Sequence, residues 1–259
     1  MRRGEEIAAA IEANHFATLR EFAQGESSEL LVNSEMMRAA SGVAYPLFNF
    51  VARPRFDPKT LDRRIQGVIA YFAERRLPFL FYVHPSSVPG GLGRHLEKHG
   101  LRPCGIQDGM ALTRLNPTLH AHHDVTVEVA ADQRTLADAA DVYAAAYHLP
   151  DDAAGHMRTV LFSAQQDPAV CIYLARLQGV PAGTLIMTLK AGAAGLYGLG
   201  TRPECRGQGV ARTLMVRAIF DANALGFSLA VLQAPPGAVN LYRYLGFETH
   251  MRVEVYAGN

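Results

Sequence analysis

The stretch Arg206-Gly207-Gln208-Gly209-Val210-Ala211 places two glycines between a strand-like run ending at Thr201 and a long amphipathic run beginning at Val210. A glycine-rich turn that opens a helix gathers several backbone N–H groups at one point, where the helix dipole also favours negative charge. Without Cβ atoms, the glycines let a bulky ligand reach the backbone. The chemistry this predicts is phosphate binding, and so a phosphorylated cofactor. A P-loop is excluded, because it ends in Gly-Lys-Ser/Thr where this loop has Gly209-Val210-Ala211. A dinucleotide site wants a third glycine and an acid at the tip of the next strand. Here Arg212 holds the third position, and the next strand ends in Gln233-Ala234. The bland alternative is a loop that only turns a corner.

A third phosphate ligand is coenzyme A, and here the sequence resembles the GNAT acetyltransferase superfamily. Arg206, Gly209 and Ala211 match that family's Arg/Gln-x-x-Gly-x-Gly/Ala signature, which opens a helix after a strand. The lead-in Leu199-Gly200-Thr201-Arg202-Pro203-Glu204-Cys205 is similar to the family's strand, proline and loop. Leu241-Tyr242-Arg243-Tyr244-Leu245-Gly246-Phe247 resembles a second family element, and the likeness covers about residues 124–259. It implies acetyl-CoA as cosubstrate and no metal. The N–H groups of Gly207, Gln208, Gly209, Val210 and Ala211 then take the pyrophosphate, beside Arg206. Leu199 and Thr201 offer backbone groups to the pantetheine arm, as a strand adds to a sheet edge. N–H groups of this splayed strand polarise the thioester carbonyl. Gly198 and Gly200 suit such an irregular strand. Tyr242 matches the family's general acid, and a phenol of pKa about 10 is protonated at neutral pH. Its bland reading is a packed aromatic on an amphipathic helix.

The chain departs from the family pattern in places. Many members carry an Asn seven residues before the tyrosine, against the cofactor; here Pro235 stands there, followed by Pro236. Proline has no N–H to offer, so the contact is either lost or replaced by Asn240 or Gln233; the bland reading of Asn240 is a solvated helix residue. No general base is assigned. Glu204 reads as surface decoration, Asp151 and Asp152 as a helix start, and Tyr197 as packing or a proton relay through water. Cys205 precedes a helix N-terminus, where a thiol pKa can fall, but no histidine is indicated beside it. His120, His122 and His123 read as surface histidines of a linker rather than metal ligands.

These groups need a scaffold. Residues 5–24 and 61–76 have helical spacing, residues 77–83 suit a buried strand, 91–99 a short helix and 110–115 a strand. Asn116-Pro117-Thr118-Leu119-His120-Ala121-His122-His123-Asp124 breaks the pattern as a linker. Beyond it the reading is strand (125–129), helices (133–148 and 153–166), and two strands (170–177 and 180–189) joined at Gln178-Gly179. A strand (196–201), the loop and its helix (about 208–225), a strand (228–233), a short helix (237–245) and a last strand (247–256) complete it. Residues 91–101 weakly repeat 238–247, with Leu96 where the second copy has Tyr242 and no glycine loop over 55–65.

The fold class expected is therefore α/β, with two GNAT-like halves, each a mixed, mostly antiparallel sheet flanked by helices. The predicted domains are 1–119, degenerate and structural or substrate-gating, and 120–259, which binds the cofactor. A net charge of +1 across 259 residues argues against nucleic acid and membrane surfaces as partners. Three widely spaced cysteines, an N-terminal Met1-Arg2-Arg3 without a continuous apolar core, and no long apolar run predict the cytoplasm. The resemblance implies an N-acetyltransferase moving an acetyl group to a primary amine of a small molecule or peptide, by direct attack in a ternary complex. Its rivals are a non-catalytic acyl-CoA sensor and a purely structural protein.

Overall fold

The structure, a computed structural model, describes residues 4–23, 28–115 and 120–259. The first three residues and the linker start at 116–119 lie outside the described residues. The chain folds as two compact units, Met1–Thr18 with Gly109–His250, and Leu19–Asp108 with Met251–Asn259. The units do not follow the 119/120 boundary read from the sequence. The chain passes between them inside helix α1 (Gly4–Phe22) and inside strands β5 (Arg102–Leu112) and β11 (Glu248–Gly258).

The smaller unit contains β1 (Glu29–Val32), β2 (Met37–Ala40), β3 (Phe50–Ala52), α2 (Leu61–Glu74), β4 (Phe79–Val83) and α3 (Leu92–Lys98). Its strand order is β1-β2-β3-β4-β11, antiparallel except for the parallel β3–β4 pair. The first three strands have only three or four residues each, too few for a visible alternation. Asn33 and Asn49 organise their turns instead. Asn33 Oδ1 accepts from the N–H groups of Glu35 and Met36, both at 2.9 Å. Asn49, fully buried, donates to the carbonyls of Val43, Tyr45 and Pro78 and accepts from Ser41 N.

The larger unit contains β6 (Val125–Val129), α4 (Gln133–Tyr147), α5 (Asp151–Ala164), β7 (Val170–Leu177), β8 (Val180–Lys190), β9 (Ala193–Thr201), α6 (Val210–Ala224), β10 (Ala230–Ala234) and α7 (Val239–Tyr244). Its order is β6-β7-β8-β9-β10-β5, with β6 to β9 antiparallel and β9–β10 parallel. Each unit is thus a mixed, mostly antiparallel sheet with helices. Asp132 opens α4 through a reciprocal capping box with Thr135. The β7–β8 turn holds Gln178 and Gly179 at positive φ, the backbone a two-residue hairpin needs. Ala191 and Gly192 make the same turn before β9, so this strand starts earlier than its apolar pattern suggests.

The start of α1 packs within the larger unit. Asn14, 0% exposed, donates from Nδ2 to Lys190 O at 2.7 Å and Ala193 O at 3.0 Å, and accepts from Tyr197 Oη at 2.7 Å. His15 stacks on Tyr197. Burial pushes the His15 pKa down to about 3 from 6.5, so the folded protein holds it neutral. Between those values the unfolded chain binds a proton that the folded chain refuses. Stability therefore falls with pH through this window by about 1.4 kcal/mol per unit, and the loss disappears above 6.5. Urea midpoints at pH 7 and pH 5 are expected to differ less in His15→Phe than in the wild type. Equal differences would refute a neutral, buried His15.

Candidate functional site

The loop is carried by α6, which the larger core fixes firmly. Leu214, Met215, Ala218 and Ile219 are wholly buried in that core. At Gly183 on β8 a Cβ would lie 2.4 Å from Val210 Cγ1, so the helix start rests directly on the strand backbone. Gly207 and Gly209 both take positive φ, which turns the chain sharply into α6. The helix has no side-chain cap, in contrast to α4, and its first turn carries no acidic residue. Its first N–H groups are left for an anion. A cavity of about 250 Å³ lies here, lined by residues that include Thr201, Arg206, Gly207, Arg212 and Leu241. Arg212 Nε is buried without a partner, which fits a site that expects a negative ligand. Its side chain follows the second glycine by one turn, and its charge at that place was the signal available in the sequence.

The loop is tied to α4. Arg206 Nη2 donates to Ala146 O at 3.1 Å and Nε to Thr201 O at 3.4 Å, so its guanidinium braces the loop against the end of that helix. Gln208 Nε2 donates to Glu204 O at 3.1 Å. At Gly209 a Cβ would lie 2.9 Å from the His122 Cβ. His122 also donates its backbone N–H to Thr213 Oγ1 at 2.9 Å. The linker histidine expected at the surface is thus half-buried against the loop. His122, His123 and Asp124 bring their ligand atoms within 4.8 Å of one another. The two rings stack with centroids 4.7 Å apart.

Beside the loop, the sheet opens. β9 pairs with β10 only at Ala194 and Gly195, and an irregularity follows on its β8 side between Thr184 and Ile186. Gly198 takes positive φ in this stretch. A Cβ there would lie 2.9 Å from Tyr143, and one on Gly200 2.9 Å from the Ala146 Cβ, so both glycines let α4 approach the strand. Tyr147, at the end of α4, donates to Leu199 O at 3.0 Å. Its side chain stacks on Tyr143 and is 41% exposed, yet burial pushes its phenol up to about 12. The sequence reading did not single it out.

Tyr242 lies on α7, 7% exposed, with its ring edge-on to Phe247 at 6.1 Å. Its hydroxyl has no hydrogen-bond partner among the described residues, and it stays in touch with solvent. Burial, and secondarily Tyr147, hold its pKa above the usual phenol range, so it is protonated at neutral pH. Tyr197, by contrast, commits its proton to Asn14 and is no relay. Burial raises the Cys205 thiol, with Glu204 adding to the effect, so the lowered pKa that a helix start can give is not found. Asp151, Asp152 and Glu204 are exposed, as is Asn240.

The acetyltransferase (GNAT) family model matches residues 137–247, the stretch that runs from α4 through the loop to Phe247. These residues are a GNAT acetyltransferase domain. Solved GNAT structures also share the fold over nearly the whole chain. A GCN5-related N-acetyltransferase from Kribbella flavida superposes with a TM-score of 0.71 at 20% identity, covering 95% of each chain. One from Sphaerobacter thermophilus gives 0.68 at 19% identity, covering 99% of this chain and 93% of the other. A tandem GNAT protein from the clavulanic acid biosynthesis pathway gives 0.63 at 12% identity, covering 98% and 95%. No curated protein matches the chain by sequence. Among the described residues, no helix is long and apolar enough to cross a membrane.

Proposed function

We propose that the GNAT domain moves the acetyl group of acetyl-CoA to a primary amine on a small molecule or peptide, by direct attack within a ternary complex. The observation that carries this reading is the uncapped start of α6, with Gly207, Gly209 and the unpartnered Arg212 Nε, beside the gap between β9 and β10. The loop N–H groups from Gly207 to Ala211 and Arg212 suit the pyrophosphate, and the β9 backbone at Leu199 and Thr201 suits the pantetheine arm. The amine nitrogen bonds to the thioester carbonyl carbon as the C–S bond breaks. Tyr242 gives its proton to the departing thiolate, and the proton lost by the amine passes to water, from which the phenolate is restored. Arg206 contributes by bracing the loop, and the exposed Asn240 is offered as a cofactor contact in place of the family's Asn.

The smaller unit lacks these parts. Leu96, fully buried, stands where α7 has Tyr242, and no paired glycines precede α2. One cofactor per chain is therefore expected. Calorimetric titration with acetyl-CoA should saturate near one per chain. The Gly207 Cβ would meet nothing within 4 Å, and Asp tolerates positive φ, so Gly207→Asp adds a carboxylate at the loop without a clash. This variant should bind at least about ten-fold more weakly, while the neutral Gly207→Asn should lose much less. Gly209→Asp is the poorer probe, because it would strike His122. No binding by the wild type would sink the proposal, and two per chain would sink its single-site form. Binding with thiol release that no amine accelerates would leave an acyl-CoA sensor.

A further inference from the structure

Strand β10, where it has parted from β9, carries a polar group that the protein leaves unsatisfied. Gln233 is the penultimate residue of β10, beyond Val231, the last residue of that strand paired with β9. Neither its Oε1 nor its Nε2 is reached by solvent, and neither has a hydrogen-bond partner. A buried orphan of this kind costs about 1–3 kcal/mol per group, so two on one carboxamide call for an explanation. The side chains of Ala230, Leu232 and Ala234 join the core under α6. Strand alternation therefore turns Gln233 to the opposite face, away from the helix whose N-terminus takes the phosphates. Tyr197, on the neighbouring strand, is held by Asn14 and supplies no bond to it. On β9 the Leu199 carbonyl is already occupied by Tyr147.

A carboxamide offers a donor and an acceptor side by side. The group that satisfies both at once is another amide in an extended chain, which is what a ligand lying between two diverging strands presents. We propose that Gln233 is a binding site for a secondary amide, with Nε2 donating to its carbonyl and Oε1 accepting from its N–H. The inference rests on the proposed function. The amide belongs either to the pantetheine arm of coenzyme A or to a peptide-like acceptor that enters from the face opposite α6.

The full chain and its Gln233→Leu and Gln233→Glu variants separate these sources. Leu keeps the approximate size and removes both polar atoms; Glu keeps the shape and removes the donor. The probes are coenzyme A, 3′,5′-ADP (phosphates without an amide) and, on the coenzyme A-saturated protein, glycine N-methylamide, a primary amine that carries one secondary amide. If the amide is the cofactor's, both variants bind coenzyme A about ten-fold more weakly and 3′,5′-ADP as the wild type does. If it is the acceptor's, coenzyme A binding holds and glycine N-methylamide binding is lost. In either case the ligand-free Gln233→Leu protein melts at or above the wild-type temperature, since an orphan has been removed. Unchanged coenzyme A binding, together with no Gln233-dependent binding of glycine N-methylamide, overturns the proposal. Failure of the wild type to bind coenzyme A or 3′,5′-ADP is a different result, and it strikes the proposed function itself.

Discussion

Tyr242→Phe is expected to lower kcat for acetyl transfer by about 10²- to 10³-fold, with the affinity for acetyl-CoA changed by less than about two-fold. The substitution removes one oxygen that has no hydrogen-bond partner among the described residues, so neither the fold nor the loop loses a contact. The ring keeps its edge-on packing against Phe247 and its place in the core. In the proposed reaction, what goes is the proton for the departing thiolate. Tyr147 is the other phenol in electrostatic range, but its hydroxyl is committed to the Leu199 carbonyl and cannot stand in. Because the Tyr242 phenol lies above its usual range, wild-type kcat should hold through neutral pH and decline only in strongly alkaline solution. The variant should lose that alkaline limb along with the rate. Turnover within about three-fold of wild type would return Tyr242 to a packing role and leave the thiolate to be protonated by water.

The site was legible where chemistry and local geometry coincide in one stretch of chain. Gly207 and Gly209 announce positive φ and an open helix start, and both are found there. Gln178-Gly179 announces a hairpin for the same reason. What stayed hidden depends on partners far along the chain. Nothing around Asn14 says that it will meet Lys190 and Ala193, and nothing in His122 says that it will pack on Gly209. Tyr147 looks like one more helical aromatic until the kink at Gly198 brings Leu199 O within reach. The strands β1, β2 and β3 were missed because three or four residues give no period to read, and the side chains of Asn33 and Asn49 replace the turn glycines that usually mark such a region.

The domain boundary shows the same limit with a larger consequence. A fragment of residues 120–259 keeps the loop, Tyr242 and the whole family match, yet it lacks two pieces of the unit it belongs to. It loses Met110 and Leu112, both in the core, and it loses Asn14. That fragment is expected to be unfolded or insoluble at concentrations where the full chain is soluble. In the full chain, Asn14→Ala strands two strand carbonyls and the Tyr197 hydroxyl in a dry interior, and should cost about 3–5 kcal/mol of stability. Asn14→Asp is the sharper test. It matches the native side chain in size but turns a donor toward Lys190 O and Ala193 O into a carboxylate facing both. It should destabilise at least as much as alanine near neutral pH, and less at pH 4, where protonation removes the charge. The unit should lose acetyl-CoA affinity along with stability, since Asn14 holds Tyr197 immediately before the Gly198 kink. An Asn14→Asp protein that unfolds at the wild-type urea concentration would show that the first helix only decorates the unit. The half that carries the family match would then be separable after all.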